Sequence, residues 1–118
     1  MKISNIDEYK NGWFVGDFDP SIFKNPFFEI GHHKHKANEE TFSHTHKVTT
    51  ELNYIVSGEL SIKAPDRHYM KRQILTAGDM WIYHANDISD VEFITDVELI
   101  VVRWPSVPSD KYLTNEKT

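Results

Sequence analysis

Two histidines one residue apart, His44 and His46, are followed by a carboxylate at Glu51 and a glycine at Gly58. On a β-strand, side chains two residues apart share a face, so His44 and His46 present two imidazoles from one strand. A short turn can return Glu51 to the same place from the next strand. Two neutral imidazoles and one carboxylate form the facial donor set that suits Fe(II), and also Mn, Ni or Zn, with positions left open for a small polar metabolite. The spacing therefore predicts a divalent transition metal on His44, His46 and Glu51, with the same three as catalytic residues. The groups have a second use that needs no metal. A histidine near its ordinary pKa can also move protons.

Other residues are candidates for the surrounding pocket. In the run Gly31-His32-His33-Lys34-His35, the pair His33 and His35 share one strand face and His32 and Lys34 the other. Either His33 and His35 line a cavity, where they could bind anionic groups or shuttle protons, or the run is a solvated polar strand face. Asn53 lies two residues after Glu51 and shares its face. Tyr69 and Tyr83 could each offer a phenol to a substrate, or be half-buried strand tyrosines with wet hydroxyls. His84 and Ser89 follow in the same stretch. Trp81 and Trp104 read as core, and Arg103 as an edge charge that discourages aggregation.

The elements that would position these groups are strands. No segment sustains apolar residues at helical spacing for more than about two turns, whereas short alternating or β-branched runs recur between turn residues. Strands are expected at 27–36, 41–47, 51–56, 59–63, 67–75, 80–84, 89–95 and 98–104. Ser57-Gly58 closes one hairpin, and Thr76-Ala77-Gly78-Asp79 is a turn. Strands at this spacing imply a sandwich or barrel. Residues 1–27 differ: Trp13, Phe14, Phe18, Ile22 and Phe23 are apolar, but Gly12, Gly16, Pro20 and Pro26 interrupt any long element. They read as an irregular aromatic arm that packs on residues 28–104 or on a partner subunit. Residues 105–118 read as a polar C-terminal tail.

Composition narrows the function. One domain is expected for 118 residues. With no cysteine, disulfides, thiolate ligands and a cysteine nucleophile are excluded, which fits a cytoplasmic protein. No apolar run approaches a membrane span, so no membrane partner is expected. The net charge of −5 argues against nucleic acid. Aromatic residues make up 13% of the chain, which favours packed β-structure or an aromatic ligand cavity.

At this point the residues resemble the cupin superfamily. His44-Thr45-His46, Glu51 and Gly58 match its first motif in full. Gly78-Asp79-Met80-Trp81-Ile82-Tyr83 matches the opening of its second. Beyond that the match fails: His84 stands where a proline is common, and Ser89 where a third histidine is expected. The resemblance spans about residues 28–104. It implies an all-β, jelly-roll β-barrel with the site in its mouth, commonly a homodimer, and a divalent metal in most members. It implies an enzyme of dioxygenase, isomerase or lyase type acting on a small molecule. His44-Thr45-His46-Lys47 also resembles the stretch of those cupins that isomerise or epimerise nucleotide-linked sugars by proton transfer, without metal. A cupin that only binds a small ligand is the remaining alternative.

Overall fold

The structure is a computed structural model and describes residues 1–63 and 72–117. A 3-10 turn at Ile6–Glu8 precedes eleven strands: β1 (Trp13–Val15), β2 (Glu29–His35), β3 (Phe42–Thr45), β4 (Thr50–Ser57), β5 (Glu59–Lys63), β6 (Arg72–Thr76), β7 (Met80–Tyr83), β8 (Ile88–Ser89), β9 (Val91–Phe93), β10 (Val97–Trp104) and β11 (Tyr112–Lys117). A five-stranded sheet runs β1-β2-β10-β4-β7, and two three-stranded sheets run β11-β3-β8 and β6-β5-β9. All the paired strands are antiparallel. The architecture is the expected all-β jelly roll. Among the described residues, no helix is long and apolar enough to cross a membrane.

Alternation writes the inside of the large sheet. On β10, Val97, Leu99 and Val101 are buried while the residues between them are half-exposed. On β4, Glu51, Asn53 and Ile55 are buried. Antiparallel register then sets these side chains in rows across the sheet. One row reads Glu29, Arg103, Glu51, Tyr83; the next reads Gly31, Val101, Asn53, Trp81; the next reads His33, Leu99, Ile55. The apolar end of these rows merges with Leu60, Leu75 and Phe93 into the core cluster. Ile55 and Leu60 are fully buried, each contributing about 1.5–3 kcal/mol by leaving water. The polar row lies at the other end of the same strands.

Gly58 makes the β4–β5 hairpin. Its φ is +96°, and a Cβ there would run into the backbone of Asp96 and Val97. Both facts require glycine. The Gly78-Asp79 turn clips onto β4 through Gly78 N–H to the Ile55 carbonyl at 2.8 Å and Ile55 N–H to the Asp79 carbonyl at 3.0 Å.

Three expectations change. The strand expected at 89–95 is two strands, because the chain changes sheets at Asp90: Ser89 pairs with His44 on β3, while Val91 and Phe93 pair with β5. Arg72 holds the Asp90 carboxylate at 2.7 Å at that corner. The polar C-terminal tail also carries a strand, β11, which pairs with β3. Trp104 is 40% exposed rather than core, since it has the outward parity of β10. Within the arm, β1 pairs with β2 and Trp13 packs against the core cluster. The first part of the strand expected at 67–75 lies outside the described residues.

Candidate functional site

His44 sits on β3 directly opposite Ser89. Burial, helped by the nearby charge of Lys111, pulls its pKa down to about 4, so the ring is neutral at physiological pH. His46 lies one residue beyond the end of β3, and its ring is held from behind. Its Nδ1–H donates to the backbone carbonyl of Asp110. A carbonyl only accepts, so the proton is on Nδ1 and the other nitrogen faces inward. That nitrogen, Nε2, is buried, has no hydrogen-bond partner and lies 3.5 Å from Glu51 Oε1. The two imidazoles are 5.2 Å apart between ring centres and nearly perpendicular.

The turn between β3 and β4 is fixed from the same residue. The Asp110 carboxylate accepts the amides of Lys47, Val48 and Thr49, each at 2.9 Å. Burial pushes this carboxyl up, and the three amides more than offset that, holding it below its ordinary pKa.

Glu51 is the centre of a charged row. Its Oε1 accepts Arg103 Nε–H at 2.7 Å and its Oε2 accepts the Asn53 amide at 3.0 Å. Burial alone would raise its pKa. The nearby His46 ring, the charge of Arg103 and the bond from Asn53 reverse this and hold it well below the usual carboxylate range. Arg103 also lies 3.4 Å from Glu29, which accepts the Ser106 hydroxyl at 2.9 Å. The guanidinium stacks over Trp13 at 4.5 Å.

Above this row lies a cavity of about 380 Å³, within the range of small-molecule sites. Trp13, Trp81, Phe42 and Phe93 give it aromatic walls, and Lys111 and Leu113 reach it from the C-terminal segment. Of the sequence candidates, His44, Glu51, Asn53, His33, His35 and Ser89 line it. The strand parity left open for β2 is thus settled: His33 and His35 face inward. His33 is neutral, its pKa drawn down to about 4 by burial and by His35. His35 stacks on Phe93 at 4.1 Å. His46 is buried behind the lining, as is Tyr83. The Tyr83 hydroxyl lies beside Ser89 without a hydrogen bond of normal geometry, and burial pushes its phenol up.

His84 is a correction. It is exposed and does not line the cavity, because it follows inward-facing Tyr83 and takes the opposite parity. Tyr69 lies outside the described residues. Sequence reasoning missed Arg103, although Val97, Leu99 and Val101 share its parity. It also missed Asp110, Lys111 and Leu113, which no periodic pattern announces.

The residues do not fit the expected divalent ion. Among the described residues, no group of three or more histidine, aspartate or glutamate side chains is arranged to hold a metal. Both Glu51 oxygens are already engaged, one of them by a guanidinium that would repel a dication. Neither aspartate beside Ser89, Asp87 or Asp90, lines the cavity. The Asp87 carboxylate accepts the His84 amide, and Asp90 is held by Arg72.

No protein-family model matches the chain, and no curated protein matches it. Solved structures do. An uncharacterized conserved protein with a double-stranded β-helix domain from Klebsiella pneumoniae superposes with a TM-score of 0.69 at 17% identity, over 98% of this chain and 93% of the other. An RmlC-like cupin from Shewanella frigidimarina gives 0.62 at 20% identity, over 71% of each chain. Ectoine synthase from P. lautus gives 0.66 at 15% identity, over 96% of this chain and 89% of the other. Identities this low establish the shared fold and leave the chemistry to the site.

Proposed function

We propose that this chain, whose fold is that of the cupins, binds a small metabolite carrying a carbonyl and an anionic group and moves a proton on it through His44. The observation that carries this reading is the Arg103–Glu51 contact of 2.7 Å inside the fold. It balances the carboxylate with a fixed side-chain cation where the sequence expectation placed a metal.

The parts take these roles. His44 is the neutral base that meets the cavity. Its basicity is low because burial and the Lys111 charge both disfavour its protonated form. Among the described residues Lys111 has no ion-pair partner. A ligand anion that pairs with Lys111 removes one of those causes and raises the basicity of His44 when substrate is present. Asn53 and Ser89 offer hydrogen bonds to the ligand, and the aromatic walls exclude water. Isomerisation or epimerisation beside a carbonyl is the reaction class such a site serves.

The unpartnered Nε2 of His46 favours a second reading, in which that lone pair and His44 bind a divalent ion. Elemental analysis of untagged protein separates the two. Substoichiometric metal, with no uptake on titration, is the expected result. One equivalent of a transition metal that disappears in His46→Ala would overturn the metal-free reading. Small keto acids and sugar phosphates would then be screened by thermal shift, since a ligand stabilises by RT ln(1 + [L]/Kd). The bound compound is expected to exchange a carbon-bound hydrogen with D₂O, and to stop doing so in His44→Gln. Binding without exchange would reduce the protein to a ligand-binding cupin.

A further inference from the structure

We infer that Asp110 is the positioning residue of this site: from the segment beyond β10 it fixes the orientation and tautomer of His46. The inference deepens the proposed function and rests on that reading only for the importance of His44, whose ring centre lies 5.2 Å from that of His46.

Two arms of one residue act on the same loop. The Asp110 backbone carbonyl takes Nδ1–H of His46, and its side chain takes the three successive amides of Lys47, Val48 and Thr49. Asp110 is 3% exposed and His46 is 3% exposed, so neither arm has water as an equal alternative. The loop has few other anchors. His46 has already left β3, and its own carbonyl is taken by the Asn86 amide at 2.7 Å. Without the carboxylate, three buried or half-buried amides lose their acceptor together, and the loop must move to reach water. The ring would move with it, because the carbonyl and the carboxylate belong to one residue.

The surrounding segment is tied at several other points. The Ser106 hydroxyl bonds Glu29, the Ser106 amide bonds the Pro26 carbonyl at 3.0 Å, and Leu113 pairs with His44 across β11 and β3. Lys47 lies over the Tyr112 ring at 4.1 Å. The segment that reads in sequence as a tail therefore sets both histidines, His44 through strand pairing and His46 through Asp110. A conventional orienting partner for a histidine is a carboxylate or carbonyl on its outer nitrogen. Here the carboxylate holds the loop and the carbonyl holds the ring.

The test is imidazole ¹⁵N NMR of ligand-free protein, so it does not depend on any substrate or metal. Wild type is expected to show His46 with one protonated nitrogen, Nδ1, and one bare nitrogen. In Asp110→Ala the Nδ1–H signal is expected to be lost to a mixture of tautomers, with faster amide exchange at 47–49. In Asp110→Asn, which keeps one acceptor oxygen, both changes are expected to be partial. A folded Asp110→Ala protein that keeps the wild-type His46 pattern would overturn the inference. If Asp110→Ala does not fold, an unchanged His46 pattern in Asp110→Asn alongside faster amide exchange at 47–49 would overturn it equally. Failure of the proton-transfer reading would leave these spectra unaffected, so the two can fail separately.

Discussion

Arg103 and Glu51 face each other across β10 and β4 and are bonded Nε to Oε1 at 2.7 Å, with Arg103 15% and Glu51 6% exposed at the side chain. Glu29 lies on the other side of the same guanidinium. Two buried carboxylates thus share one buried cation. Removing the cation leaves two buried carboxylates with only neutral partners, Asn53 and Ser106. Arg103→Met should therefore destabilise the fold by about 3–5 kcal/mol, read by urea unfolding at neutral pH. A loss below about 1 kcal/mol, the range of a surface pair, would show that the row is not closed to water.

Acid should unfold the protein earlier than its net charge implies. His33 and His44 have folded pKa values of about 4, below the unfolded value for histidine. The unfolded chain therefore takes up protons first. The contribution of each ring is complete above the unfolded pKa and is lost as pH falls from about 6.5 to 4, by roughly 1–3 kcal/mol per ring. Glu51 acts in the same direction at lower pH. Its folded pKa is depressed, so its contribution is present above the unfolded carboxylate value and drains away below it. Melting temperature should rise across pH 4 to 6.5 and then level off. His33→Phe should flatten that rise, and an unchanged slope would rule out His33 as a source.

Much of this was legible because the informative signals were local. The pair His44 and His46, the return at Glu51 and the hairpin glycine are all within one β-hairpin's reach, and period-two alternation placed Asn53 on the face of Glu51. Arg103 was legible by the same alternation but was read as an edge charge. A lone arginine after three inward apolar residues has no in-sequence sign of the Glu29 and Glu51 that accept it. Asp110 was beyond reach for a different reason. Its partners at 46–49 are some sixty residues earlier in the chain, and an aspartate in a polar segment has no period to betray it. The ligand pattern considers only donors, so it carries no sign of Arg103, which the fold pairs with Glu51.

Gly31 is a place where the site has no room for a methyl group. It faces inward between Glu29 and His33, and a Cβ there would meet the His33 ring and come within 2.8 Å of the Trp13 ring. Its backbone does not need glycine, since its φ is not positive. The restriction is packing alone. Gly31→Ala should cost about 1–3 kcal/mol by pushing Trp13 and His33 apart. Tryptophan fluorescence should report the displaced Trp13, and thermal shift should report weakened ligand binding. A variant as stable as wild type with unchanged fluorescence would mean that the two rings can move at no cost.

Ser89 offers the converse experiment. It faces His44 across the β3–β8 pair, is 7% exposed and lines the cavity. A hydroxyl there is a poor ligand for a transition metal, whereas an imidazole is a good one. The cavity volume of about 380 Å³ leaves space for the larger ring. Ser89→His should therefore place a third imidazole beside His44 and His46 and raise the affinity for Co(II) above that of the wild-type chain. Visible absorption on Co(II) titration reads this directly, because ligand-field bands appear only on coordination. The affinity should fall as pH drops and the imidazoles become protonated. With Arg103 still bonded to Glu51, the new site should rest on nitrogen donors alone, and combining Ser89→His with Glu51→Gln should leave Co(II) binding largely intact. Loss of binding in that double variant would show that Glu51 can leave its guanidinium for a metal, and would return the carboxylate to the ligand set.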